Sequence, residues 1–304
     1  MSGETDRREE LAGGMSFFRE AWQRVWAGRV SRACLAVLAV FALAALWGQA
    51  SQAWHAWCDV TPPWQVQDLA VRYLAPCADH WLGTDGLGRD VFLRLVQGAR
   101  IAFLTGVVSS LIAIPIGVLL GSLGGYFGGK TDDAVVWLST TFAAIPGLLF
   151  VLAIAMVVGK GLLGVFLAIG LTTWVGVCRL IRAEVLKQKE RGYVRAARAL
   201  GFSHGRILFR HILPNVIHVA LVSFTLRFPA AIGTEVFLSF LGIGAQGEPS
   251  WGTMISSARL RLWQGMWWEL AAVTVSIFAV VLAFNLLGDA LRDALDPRLR
   301  NVRE

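Results

Sequence analysis

Long stretches without a single Asp, Glu, Lys or Arg constrain this chain more than any other feature. They run from Ala33 to Cys58, Ile101 to Gly129, Ala134 to Gly159, Gly161 to Cys178 and Leu270 to Gly288. A helix rises about 1.5 Å per residue, so about 20 mostly apolar residues cross the roughly 30 Å hydrocarbon of a bilayer. A further stretch, Val216 to Leu226, is cut by Arg227 and again by Glu235; taken through those charges, Ile217 to Phe240 is long enough to span. Six spans follow, and with them an all-α polytopic membrane protein. Composition agrees: 56% of the 304 residues are hydrophobic and 16% charged, against about 25% charged in an average soluble domain. Such a chain is too apolar for intrinsic disorder, and without a Gly-X-Y period it is not collagen. With four Cys it is not a disulfide-stapled secreted module either. The first stretch is long and lacks a clean small-x-small cleavage site, so it reads as a retained signal anchor.

Lys and Arg asymmetry between loops sets the expected orientation. One side collects six in the tail up to Arg32, Lys130, nine between Arg179 and His211, and four from Arg292 onward. The other has four between Ser51 and Arg100, then Lys160, Arg259 and Arg261. Both termini are therefore expected in the cytoplasm. The expected organisation is a tail over 1–32, a first span over 33–55, an external loop over 56–100 with an amphipathic segment, a five-helix core over 101–290 that includes a cytoplasmic loop over 190–215, and a tail over 291–304. The net charge of +7 is explained by loops facing anionic lipid, with no nucleic acid required.

Gly124-Gly125-Tyr126-Phe127-Gly128-Gly129-Lys130-Thr131 satisfies the phosphate-loop pattern literally. That mechanism needs a buried strand in front and a soluble helix behind. Here a membrane span precedes and another follows, so the segment reads as a basic, glycine-rich turn. Cys34 and Cys178 fall in or beside spans and read as small apolar residues. Cys58 and Cys77 share the external loop, where an oxidising compartment would permit a disulfide. The five His do not cluster, and no Ser-His-Asp, Cys-His or metal-ligand constellation occurs; neither catalysis, metal nor cofactor is expected on this chain.

The loop Arg191 to Asn215 carries the most information. Val194 to Leu200 is rich in helix formers, Gly201 can end that helix in a left-handed conformation, and Ser203 is a candidate N-cap for a second helix. Ile207, Leu208 and Ile212 give it an apolar side against Arg206 and Arg210, and Pro214 is expected to stop it before the fifth span. Two short helices bent at a glycine and tethered at both ends make a rigid knob, suited either to a groove on a cytoplasmic partner or to anionic headgroups.

Ala196-Ala197, Gly201 four residues on, and Ile212-Leu213-Pro214 together resemble the coupling loop of ABC importer permeases, with Arg195 where the family's Glu stands. His80-Trp-Leu-Gly-Thr-Asp-Gly-Leu-Gly-Arg-Asp-Val-Phe-Leu-Arg94, Gly125 to Lys130, Leu238-Ser-Phe-Leu-Gly-Ile-Gly244 and Asn285 to Arg298 look like the dipeptide/oligopeptide/nickel permease group, more specifically the second permease of its heterodimeric pair. Gln246 to Gly252 is shorter and less proline-rich than the family's version, and Trp263 to Trp268 lacks the family's Pro-Trp and Pro-Gly pairs. The resemblance implies the type I importer permease fold in the inner membrane and transport of peptides, or of nickel or another solute of the same family. It implies a homologous permease, two cytoplasmic ABC ATPases that hold the ATP-Mg, and an external solute-binding protein. It makes Tyr193, Arg195, Ala196, Ala197, Gly201, Ile212, Leu213 and Pro214 the ATPase coupling residues.

Ionisable groups inside a span mark functional sites by default. Arg227 and Glu235 are eight residues apart, so their faces differ by about 80° at 100° per residue. They are not expected to pair, but both could border one pathway. Pro229 is a candidate kink, and Glu235 also fits structural anchoring. A self-sufficient secondary transporter would instead carry inverted repeats or broken helices at matching positions, and the sequence displays neither. A membrane-anchored ATPase using Lys130 is the other rival.

Overall fold

The computed structural model describes residues 22–23, 25–245 and 247–295. Most of the 1–32 tail and the end of the Asn285–Arg298 motif lie outside the described residues. The chain builds α1 (Arg29–Cys58), α2 (Val91–Phe127), α3 (Gly129–Ala144), α4 (Gly147–Val158), α5 (Leu162–Thr172), α6 (Trp174–Lys189), α7 (Gly192–Ala199), α8 (His204–Phe240), α9 (Trp251–Ala258) and α10 (Trp268–Leu295). Among the described residues there is no strand, only an isolated bridge between Thr84 and Asp90.

Five helical runs are long and apolar enough to cross a membrane: α1, α2, α5 with α6, α8 and α10. The expected third span, Ala134 to Gly159, is where the structure departs from six straight crossings. It is two helices, α3 and α4, bent by 91° at Ile145–Pro146, and counts as a sixth span only if taken as one broken crossing. Proline biases the residue before it out of the helical region, and Ile145 is extended at φ −84°, ψ 130°. Among the described residues this is one bent pair, with no second one at a matching position. The fourth span also pauses, at Thr173 (φ −101°, ψ 5°).

The amphipathic segment expected in the external loop over 56–100 includes the first turns of α2, which begins at Val91. Asp90 caps that helix by accepting from Leu93 N at 3.0 Å, and Arg94, Gln97 and Arg100 are buried within the chain. The α2–α6 crossing is set by glycine. A Cβ on Gly117 would stand 2.6 Å from Val177 Cβ, on Gly121 2.5 Å from the Cys178 carbonyl, and on Gly125 2.9 Å from the Arg182 carbonyl. This spacing of four brings two backbones into contact, the way membrane helices associate without a hydrophobic drive between them. A second core gathers α1, α2, α8, α9 and α10 around Phe228 and Phe284, stacked at 4.2 Å between centroids, and includes Trp251.

Candidate functional site

The knob forms because one apolar side of it, Val194, Ala197, Ile207, Leu208 and Ile212, faces inward. Val194, Ile207 and Ile212 are fully buried, and Ala197 and Leu208 nearly so, against Tyr126 from α2 and Val177, Ile181 and Val185 from α6. Gly201 sits at φ +75°, where a side chain is strained. The turn is closed by Gly201 N donating to the Arg198 carbonyl at 2.9 Å and Phe202 N to the Ala197 carbonyl at 3.1 Å. Ser203 then caps the next helix, accepting from Arg206 N at 3.4 Å.

Pro214 does not stop that helix. Ile207–Ile212 winds as a π-turn and Pro214 falls in the first turn of the α-helical Leu213–Phe240 segment, so α8 runs unbroken from His204 to Phe240. A wider turn lets the ladder pass a residue that has no N–H to donate.

Burial divides the eight residues of the coupling pattern. Ala197 and Ile212 are interior, and Leu213 is half-buried. Tyr193, Arg195, Ala196, Gly201 and Pro214 are exposed, in the company of Arg191, Arg198, Leu200, Arg206, Phe209 and Arg210. The face offered outward is thus basic with two large apolar side chains, and Arg195 lies on it.

What the sequence reading missed is how the knob is fastened. Tyr126 Oη and His204 Nδ1 are hydrogen-bonded at 3.0 Å, Arg198 lies over the Tyr126 ring, and Tyr193 donates to Gln188 Oε1 at 3.1 Å. Deeper, Arg182 of α6 grips Asp132 of α3 with two parallel bonds of 2.5 and 2.6 Å. The Gly125-Tyr126 segment carried the signal, as a polar ring at the end of an otherwise apolar helix. Gly124 to Phe127 are helical and Lys130 is exposed, so the phosphate-loop pattern forms no loop around an anion.

At the opposite end, the Thr84-Asp85-Gly86-Leu87-Gly88-Arg89 turn is organised by one carboxylate. Asp85 Oδ1 accepts from Leu87 N at 2.8 Å and Arg89 N at 3.0 Å; Oδ2 accepts from Arg89 Nε at 2.8 Å and faces Arg94 Nε at 3.5 Å. Burial alone would raise the Asp85 pKa, but the hydrogen bonds and charge of Arg89 hold it below the ordinary carboxylate value. Trp268 Nε1 donates to the Thr84 carbonyl at 3.3 Å. Arg100 pairs with Glu248, tying the 241–250 loop to α2, and Trp251 Nε1 donates to the Leu95 carbonyl at 3.0 Å. Cys58 and Cys77 are both exposed and free, so the disulfide is absent.

Arg227 and Glu235 do not meet. The Arg227 guanidinium donates to the carbonyl and hydroxyl of Thr173, at the pause between α5 and α6. Glu235 is fully buried and accepts from Ser239 Oγ at 2.6 Å. Pro229 lies inside α8 without ending it.

The profile described as "Binding-protein-dependent transport system inner membrane component" matches residues 113–301. The chain is 43% identical over 235 residues to the dipeptide transport system permease protein DppC of Bacillus subtilis (strain 168), covering 77% of this chain and 73% of that one. It is 42% identical to the oligopeptide transport system permease protein OppC of the same strain, covering 74% of each. To the glutathione transport system permease protein GsiD of Pectobacterium atrosepticum it is 40% identical, covering 74% of this chain and 75% of that one. Among solved structures, a chain from inward-facing conformations of the MetNI methionine ABC transporter is similar at 18% identity and a TM-score of 0.49, covering 65% of this chain and 96% of that one.

Proposed function

The chain belongs to the family of binding-protein-dependent transport system inner membrane components, and on that premise we propose that it is the second permease of a heterodimeric, ATP-driven importer of peptides. It is a permease subunit of an ABC importer. The finer reading takes the type I permease fold, both termini in the cytoplasm, residues 1–32 and 291–304 as cytoplasmic tails, and two ABC ATPases seated on the knob over 190–215. ATP-Mg would sit on those partners, and an external binding protein would deliver substrate to the far end. The substrate class is supported by the relatives, whose names describe dipeptide, oligopeptide and glutathione transport.

The observation that carries the coupling assignment is the division of the knob into a buried and an offered face. Val194, Ala197, Ile207, Leu208 and Ile212 bind it to α2 and α6, while Tyr193, Arg195, Ala196 and Gly201 are left outward. A lever needs both. ATPase closure would displace the outward face, and the buried face with the continuous α8 would carry that displacement into the spans as one of two packed arrangements. Alternating access follows, with the spans open first to one side and then to the other.

Reconstitution of the chain with its sister permease, ATPases and binding protein in proteoliposomes tests this reading. Uptake of a labelled dipeptide is expected only with ATP and both ATPases. Uptake by the chain without them would make it a secondary transporter, and nucleotide binding abolished by Lys130→Ala would make it an ATPase.

A further inference from the structure

Arg227 lies fourteen residues after Leu213 and thirteen before Phe240, about 20 Å of helix on either side. A bilayer crossed by this helix puts the guanidinium near its midplane, where a charge is most expensive. Its partners there are neutral. Nη1 and Nη2 donate to the two Thr173 oxygens, Nε has no hydrogen-bond partner among the described residues, and no described carboxylate lies within 4 Å of it. The fork is therefore held but not neutralised.

The contact also borders an open face. Leu226, Ala230, Gly233 and Phe237 are exposed along α8 at helical spacing, as are Gly176 and Leu180 along α6. A Cβ placed on Gly233 or Gly176 would meet nothing within 4 Å. At 100° per residue Arg227 lies within a third of a turn of the α8 stripe, Thr173 stands three residues before Gly176, and both are only half-buried, so a molecule on that face comes within reach of the guanidinium.

Resting on the importer reading above, we infer that Arg227 is a carboxylate-recognition station in the translocation pathway, and that Thr173 holds its guanidinium between substrates. An arginine fork matches a carboxylate with two parallel, charge-assisted bonds, and exchanging two neutral oxygens for an anion supplies the charge that the site lacks. A peptide carries such a group at its C-terminus. The amide of the same peptide does not.

The test uses the assembled transporter in proteoliposomes, with labelled dialanine and dialanine amide as probes and the ratio of their uptake rates as readout. Because the same binding protein delivers both probes throughout, a change in the ratio between variants belongs to the permease. Arg227→Gln is expected to lower the acid-to-amide ratio by about ten-fold, the loss of one charge-assisted interaction, with ATPase co-purification unchanged; Thr173→Val is expected to preserve the ratio. An unchanged ratio in Arg227→Gln overturns the assignment while leaving the importer reading intact. If that variant does not assemble, Arg227→Lys decides: a smaller fall in the ratio supports the station, and an unchanged ratio overturns it. A wild-type complex that moves neither peptide defeats the importer reading, and this inference with it.

Discussion

Tyr126 at the end of α2 and His204 at the start of α8 are joined by a 3.0 Å hydrogen bond, their rings edge-on with centroids 5.8 Å apart. This one contact links the two ends of a lever, because α2 is long and apolar enough to cross the membrane and His204 opens the knob's second helix, which continues into a span. Removing the hydroxyl in Tyr126→Phe should weaken the attachment by about 1 kcal/mol. Tyr126→Ala also removes a buried ring and the seat of Arg198, and should cost about 3–5 kcal/mol. In the assembled transporter, peptide uptake per ATP hydrolysed is expected to fall modestly in the first and severely in the second. Equal values in all three proteins would mean that Tyr126 transmits nothing.

Glycine at the α2–α6 crossing predicts a contrast between two positions of similar appearance. Gly121→Val drives a branched side chain against the Cys178 carbonyl, 2.5 Å from the first added carbon, and such overpacking costs about 1–3 kcal/mol. Gly176→Ala meets nothing within 4 Å. Thermal unfolding in detergent should show a lowered midpoint for the first and an unchanged one for the second.

Asp85 gives the far-end turn a pH dependence of definite sign. Its pKa is lower folded than unfolded, so its contribution is fully present above the unfolded value of about 3.9 and is lost as pH falls through the folded value. Proteolysis of the 60–90 segment should accelerate on acidification below about pH 4. Asp85→Asn breaks a buried pair, at a cost of about 3–5 kcal/mol, and should be cleaved faster at neutral pH with this acid limb gone. An acid limb identical in both proteins would assign it to another group.

The spans were legible because uncharged length is a direct reading of bilayer thickness, and the knob because Gly201, Ser203 and the Ile207/Leu208/Ile212 side each obey a local rule. Three features were not. Pro214 pointed to a helix stop because a proline's missing donor is local information, whereas the π-turn that absorbs it depends on packing against Tyr126 and Ile181. The bend at Ile145–Pro146 was hidden in a run whose length alone suggested one crossing, though the proline was its mark. The partners of Arg227, Arg182 and Arg100 come from elements 54, 50 and 148 residues away, and no spacing rule reaches that far.

The knob's two faces provide the most direct test of the account, through co-purification of the ATPase subunits with the permease pair. Ala196 is exposed and Ala197 buried, so an aspartate at each asks different questions. Ala196→Asp should leave the permease folded, with an unchanged elution profile and unfolding midpoint, and lose the ATPases. Ala197→Asp buries an unpaired carboxylate, several kcal/mol unfavourable, and should lower the unfolding midpoint itself. ATPases retained at wild-type stoichiometry by a folded Ala196→Asp permease, with transport intact, would contradict the assignment of residues 190–215 as the coupling loop.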